Sequence, residues 1–290
     1  MTVSNPKKQH FVPQVYLNYF TDETSYFNIF DKTQDKIWRQ TPANSGYGTH
    51  FYTVEIQGEK DFFIEKLLAE SVDSLYSRLI KKIEEKEPFT KNDKINLSTF
   101  IAYQHLRTPA QRKNYNNMVI SSHKQINKLV FSMKKNKGQL MDYTDSEIES
   151  LSDTFINGKY DVEVPKERSL AFMLDFSKKM ITMLSNHNFI ILEASKRAEF
   201  ITSDNPYCMV KEKWSENWSG FGVVNTTKFF PLTPKYLLVL KDPGDKFEYM
   251  KVNKSDVRSL NRLIFSWADR LIFSRNITLL DSLIDVHRKK

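Results

Sequence analysis

Four short stretches of this 290-residue chain carry side chains that could do chemistry. The first is Gln9-His10-Phe11-Val12-Pro13, with Tyr16, Leu17 and Phe20 behind it. A histidine ahead of an aromatic anchor can be held in one orientation, and its reference pKa of about 6.5 suits general acid or base work. The same ring could instead pin the N-terminal segment to backbone. The second stretch is Gln104-His105-Leu106-Arg107-Thr108-Pro109. On a helix Gln104 and Arg107 share a face, and the proline leaves a carbonyl near His105 without its helical partner. The planar fork of Arg107 fits a phosphate or a carboxylate, either a ligand's or one from another element of the chain. The third stretch is Ile201-Thr202-Ser203-Asp204-Asn205-Pro206. Asp204 is either a carboxylate presented at a strand end or the acceptor of an ordinary turn. The fourth is Glu65 with Glu70. Five residues on a helix is a rotation of about 140°, so these two alone cannot make one tight metal site.

The elements that must position these groups can be read from periodicity. Tyr26 to Phe30 and Lys36 to Arg39 flank a turn-rich Asp31-Lys32-Thr33-Gln34-Asp35 and predict a β-hairpin. Asp61 to Lys86 places Phe63, Leu67, Val72, Leu75, Leu79 and Ile83 at three- to five-residue steps, which predicts one helix. Thr90 with Asp93 is a capping box that opens the next helix, which runs to the break at Pro109. Helix is expected again from Ala110 to Lys135 and, behind the Thr144–Glu147 capping box, to Phe155. A further helix runs from Pro165 to Asn186. Phe189 to Glu193, Glu199 to Ser203, Lys228 to Pro231 and Tyr236 to Lys241 read as strands. Ser255 opens an amphipathic helix with Val257, Leu260, Ile264, Trp267, Ala268 and Leu271 on one face. Without regular βαβ alternation the expected class is α+β. One compact domain is expected over residues 1–290, with a helical middle at about 61–186. It should pack on a largely antiparallel sheet built from N- and C-terminal strands, in a strand-rich third at about 187–290.

Composition narrows the chemistry. With 40% hydrophobic and 13% aromatic residues the chain has ample material for a core. Cys208 is the only cysteine, so no internal disulfide or cysteine zinc cluster can form. Met1 to Gln9 lacks the apolar core of a secretory signal, and the apolar runs are too short to cross a bilayer. Cytoplasmic location and no membrane partner are the expectations. A net charge of +8 suits nucleic acid or a nucleotide as partner, and also suits plain solubilising surface. Glycine-rich phosphate loops, His-Glu-x-x-His, Gly-x-Ser-x-Gly and dinucleotide fingerprints are all missing.

The run Lys8-Gln9-His10-Phe11-Val12-Pro13-Gln14-Val15-Tyr16-Leu17-Asn18-Tyr19-Phe20 resembles the opening signature of a bacterial family, domain-of-unknown-function family four-two-three-eight. The resemblance continues through Asp31, Glu65, Glu70, Gln104, Arg107-Thr108-Pro109, Thr202 to Pro206, Pro231-Leu232-Thr233-Pro234, Asn261, Ala268 and Arg270. It covers nearly the whole chain in order and implies no settled activity. Sporadic bacterial occurrence is compatible with phage-defence loci, by association only. His10, Gln104, Arg107, Asp204 and Asn205 all fall in matching motifs, which favours one shared polar site.

Two functions follow as expectations. One is hydrolysis of a phosphodiester or nucleotide, RNase-like, with a divalent metal as one cofactor it could use. His10 is then acid or base, Arg107 stabilises phosphate, Asp204 orients His10 or holds a metal, and Gln104 and Asn205 position substrate. The alternative is a non-catalytic module that binds nucleic acid or protein. The site reading requires the side-chain ends of His10, Arg107 and Asp204 to fall within about 10 Å of a common point.

Overall fold

A computed structural model describes residues 7–211 and 226–289. The expectation about Met1 to Gln9 therefore lies mostly outside the described residues. The protein is α+β, and its described residues divide into two units: residues 1–108 with 173–290, and residues 109–172.

In the larger unit the hairpin forms where alternation placed it, as Phe27–Asp31 against Lys36–Gln40. Asp31 shapes its turn: Oδ1 accepts from the Thr33 amide at 2.8 Å and the Gln34 amide at 3.2 Å. The hairpin does join C-terminal strands. Phe27–Asp31 pairs antiparallel with Leu271–Ser274, which pairs with Thr202–Ser203. The remaining C-terminal strands form a second sheet, in the order Phe247–Val252, His187–Ala194, Tyr236–Pro243, Thr226–Pro231, Cys208–Lys211. Among the described residues only the Phe247–Val252 and His187–Ala194 pair of this sheet is parallel. So the single expected sheet is two sheets. The Lys254–Trp267 and Ile277–Arg288 helices join them in one core through Val257, Ile264, Leu280 and Leu283, against Phe30, Leu192, Leu237 and Ile272.

Three expected boundaries move for identifiable reasons. The Asp61-to-Lys86 helix is broken: α-helix at Phe63–Leu67, a π-helical turn at Leu68–Val72, a 3-10 turn at Asp73–Leu75, then α-helix at Tyr76–Glu85. The C-terminal amphipathic helix stops at Trp267, and Leu271 opens a strand instead of extending the helix. There Lys32 Nζ takes the Ala268 carbonyl at 2.8 Å, and the amides beyond it are drawn to Asp204. The expected strand at Glu199 to Ser203 is only Thr202–Ser203, because Asn261 holds both ends of the stretch before it.

An aromatic core lies under the N-terminal segment. Tyr16 meets Tyr76, Phe100 and Phe230 with ring centres 5.5, 6.1 and 5.4 Å apart. The Tyr16 hydroxyl donates to the Pro231 carbonyl at 2.9 Å, and Tyr76 donates to that of Leu232. The Pro231-to-Pro234 motif is thus a rigid acceptor for two buried tyrosines.

The smaller unit contains the Pro109–Asn136 and Asp145–Asn157 helices, the second opened by the expected Thr144–Glu147 capping box. Phe131 packs on Phe155 at 5.7 Å, and Asn127 donates to the Tyr160 hydroxyl at 3.0 Å. No helix among the described residues is long and apolar enough to cross a membrane.

Candidate functional site

The N-terminal motif is fixed by its neighbours' side chains. Gln9, fully buried, donates to Thr53 Oγ1 at 2.9 Å and accepts the Tyr52 and Thr53 amides. Val12 donates its amide to the Gly46 carbonyl at 3.0 Å. Gly46 has φ +64, and a Cβ there would sit 2.9 Å from that of Val12, so glycine is required. Gln104 Nε2 donates to the Phe11 carbonyl at 3.1 Å, and the Tyr52 hydroxyl reaches that of His10 at 3.3 Å. The His10–Phe11 backbone is thereby tied to the end of the Lys91–Leu106 helix.

That helix ends as the proline dictates. The carbonyl of His105, which Pro109 cannot serve, accepts from Thr108 Oγ1 at 3.0 Å. Arg107 caps the helix with its side chain fully buried. Nη2 and Nη1 form a fork on Asp73 at 2.8 and 3.2 Å, and Nε donates to Gln104 Oε1 at 3.1 Å. Of the two partners open for Arg107, the internal carboxylate is the one present. Burial alone would lower the guanidinium pKa, but Asp73, with Tyr52 and Glu65, more than offsets it and the net shift is upward.

The broken helix explains how Asp73 reaches this point. Eight residues of ideal α-helix would place Asp73 about 80° from the face of Glu65. The intervening π turn, with its wider i→i+5 loops, rotates the chain less per residue and returns Asp73 toward that face. Burial lifts the Glu65 carboxyl to about 7, against the pull of Arg107 and with a push from Asp73. Glu70 is exposed.

His10 completes the group. Burial lowers its pKa, the carbonyls of Ala43 and Pro42 oppose that, and Arg107 adds to it. Its Nε2 is buried with no hydrogen-bond partner among the described residues, and its ring tilts against Tyr47 at 5.7 Å. His10, Glu65, Asp73 and Arg107 thus form one electrostatic cluster. Perturbed acids and bases gathered in this way mark a candidate site.

Asp204 and Asn205 spend their hydrogen bonds on the segment around residues 267–271. Asp204 Oδ1 accepts the Asp269 amide at 3.0 Å, and Oδ2 accepts those of Arg270 and Leu271 at 2.9 and 2.8 Å. Asn205 Nδ2 donates to the Trp267 carbonyl at 3.0 Å. Burial raises Asp204 to about 6 in spite of the three amides. Its charged neighbours are Asp269, Lys32 and Arg270. Arg107 is among the charges that His10 senses, whereas the hydrogen bonds of Asp204 close a turn between helix and strand. Among the described residues no three His, Cys, Asp or Glu side chains are grouped to hold a metal.

The model of a family described as protein of unknown function, DUF4238, matches residues 8–278. The chain belongs to the DUF4238 family. No curated protein and no solved structure matches it. The match spans both polar clusters of this DUF4238 protein.

Sequence reasoning missed Asp73 and Tyr52 as members of the site, and it named Gln9 without giving it a role. One signal for Asp73 was present. The step from Leu67 to Val72 is five residues, longer than an α-helix allows on one face, and it falls on the π turn.

Proposed function

We propose that this protein is a hydrolase whose proton-transfer pair is Glu65 and His10, acting on a phosphorylated substrate. The observation that carries this reading is that the Glu65 carboxyl, held at about 7, and His10, with an unpartnered ring nitrogen, both sense the buried Arg107–Asp73 pair. Near neutrality one group keeps a proton to give and the other can accept one. Neutral His10 removes a proton from water as its oxygen bonds to phosphorus. Glu65 gives its proton to the oxygen that leaves. Arg107 acts as a positioning residue: Asp73 already neutralises its charge, and its field helps keep His10 neutral. The net charge of +8 favours encounter with an anionic substrate.

The test is turnover of RNA, single- and double-stranded DNA and nucleotides, with and without Mg²⁺ or Mn²⁺. Activity should follow a bell-shaped pH profile whose falling upper limb lies near the Glu65 value of about 7. Glu65→Gln and His10→Ala should each cost about 100-fold or more in kcat. Absence of turnover, or full activity in both folded variants, defeats the reading.

A second reading, a non-catalytic binding module, is favoured by one specific observation. Gln9, Gln104, Arg107, Asp204 and Asn205 all spend hydrogen bonds inside the chain. Partner binding that survives loss of both His10 and Glu65 would support it.

A further inference from the structure

Beside the two C-terminal helices lie adjoining cavities of about 290 and about 570 Å³ that share Arg197, Ala198 and Glu199 as a wall. His10, Glu65, Asp73 and Arg107 line neither of them. The wall is built with some strain. Arg197 has φ +67, in the left-handed region that non-glycine residues seldom occupy. Buried Asn261 anchors the stretch after it, donating to the Glu199 carbonyl at 2.8 Å and accepting the Ile201 amide at 3.0 Å.

The electrostatics of this cleft are one-sided. Its two carboxylates are occupied: Glu199 holds Arg275 at 2.9 Å, and Glu193 holds Lys86 and Lys235 at 2.9 and 3.3 Å. Lys196, Arg197, Lys251, Lys254 and Arg258 have no ion-pair partner among the described residues. The starts of the Lys254–Trp267 and Ile277–Arg288 helices both open onto the smaller cavity, through Arg258 and Thr278. Asn253 and Asn276 cap the amides of Ser255, Asp256 and Leu279. The amides of Ile277 and Thr278 keep no partner among the described residues, and the helix dipole adds to the cationic field.

We propose that this cleft binds a small phosphorylated ligand, separately from the His10–Glu65 centre. Phosphate sits in the smaller cavity against Arg197, Arg258 and the helix starts, and the organic part lies in the larger one. The combined size is that of small-molecule sites, and a concave volume behind a fixed wall suits a compact ligand better than a long strand.

Calorimetric titration with pyrophosphate, adenosine diphosphate and a single-stranded RNA 12-mer, at about 50 and about 200 mM salt, tests this. Saturable binding of pyrophosphate or the nucleotide is expected, weaker at the higher salt. The Arg197→Ala/Arg258→Ala protein should bind about tenfold or more weakly. His10→Ala should bind as the parent does, so the result stands apart from the proposed activity. Tighter nucleotide than pyrophosphate binding assigns the larger cavity to the organic part; equal binding leaves phosphate as the recognised group. If the double variant fails to fold, exposed Lys254→Ala and Arg258→Gln replace it. No saturable binding of either small ligand, binding unchanged in the variants, or RNA bound more tightly through the same residues overturns the proposal.

Discussion

Two buried polar clusters in this protein look alike in sequence and differ in what they leave undone. Each sets a polar residue close before a proline: His10 and Arg107 in one, Asp204 in the other. Around Asp204 the carboxylate is saturated by three amides, and Asp31, its neighbour through Arg270, is engaged by Thr33, Gln34 and Arg270. Burial opposes ionisation of Asp31, but those donors hold its pKa far below the usual range. Around Arg107 the pairing with Asp73 is equally complete, yet Glu65 and His10 stand beside it with displaced pKa values, and His10 Nε2 has no partner among the described residues. A saturated network fixes shape. A network with titratable groups left over fixes shape and also holds protons ready. Asn205 Oδ1, buried without a partner among the described residues, is a loose end in the Asp204 cluster.

The largest effect should come from unbalancing the Arg107 cluster. Asp73→Ala leaves a fully buried guanidinium without its counter-ion, which costs about 3–5 kcal/mol. Replacing both partners by apolar residues, as in Asp73→Ala with Arg107→Met, should recover most of that loss. Urea unfolding of the three proteins measures it. If the single and double variants are equally unstable, the pair is not an isolated buried charge couple.

Asp204→Ala should cost somewhat less, about 3 kcal/mol, by stranding three amides of the 269–271 turn. It should leave the kinetics of a purified active protein unchanged. A selective loss of kcat with stability intact would return Asp204 to the site and dissolve the contrast between the clusters.

How much of this was legible depended on range. The hairpin, the Thr90 and Thr144 capping boxes and the break at Pro109 are local: the residues that decide them lie within four positions of one another. The association of Gln104 and Arg107 with the His10 segment was also anticipated, through shared motifs. Asp73 was not, because a π turn changes helical phase and a smooth 3.6-residue pattern hides it. Asp204 looked like a site for the converse reason. A carboxylate that gathers backbone amides and one that acts on a ligand have the same sequence signature, and only the 65- to 67-residue reach to Asp269, Arg270 and Leu271 separates them. The end of the last amphipathic face at Trp267 is set by that same distant residue.

A smaller effect, of opposite sign, should separate the clusters by pH. Glu65 has a folded pKa of about 7, above its ordinary 4.5, so the folded protein keeps a proton the unfolded chain gives up. Its contribution is full below about 4.5 and is lost as pH rises through 7. Glu65→Gln should therefore be nearly neutral at pH 4.5 and stabilising at pH 8, on the order of 2 kcal/mol after allowance for partial exposure. Asp204, raised to about 6, gives the same trend but completes it at lower pH. Melting temperatures of Glu65→Gln and the parent from pH 4 to 9 read the difference. A variant curve parallel to the parent's would mean that Glu65 ionises normally, and the proton-transfer proposal would lose its donor.

The smallest effect is expected at His10, and its smallness matters. A histidine that locks structure spends its ring nitrogens on partners, whereas Nε2 here is buried with none among the described residues. Deleting the ring removes a tilted contact with Tyr47 and the influence of the Ala43 and Pro42 carbonyls, while the His10 carbonyl keeps its bond from Tyr52. His10→Ala should thus lower stability at pH 8 by about 1 kcal/mol or less. At acid pH the gap should narrow. The folded pKa of His10 lies below its ordinary 6.5, so the stability it contributes is present above that value and lost as pH falls through the folded pKa. Denaturant curves at pH 8 and pH 5 give both numbers. A loss of 3 kcal/mol or more at pH 8, of the size expected for Asp204→Ala, would place His10 among the structural locks, and both clusters would then be scaffolding alone.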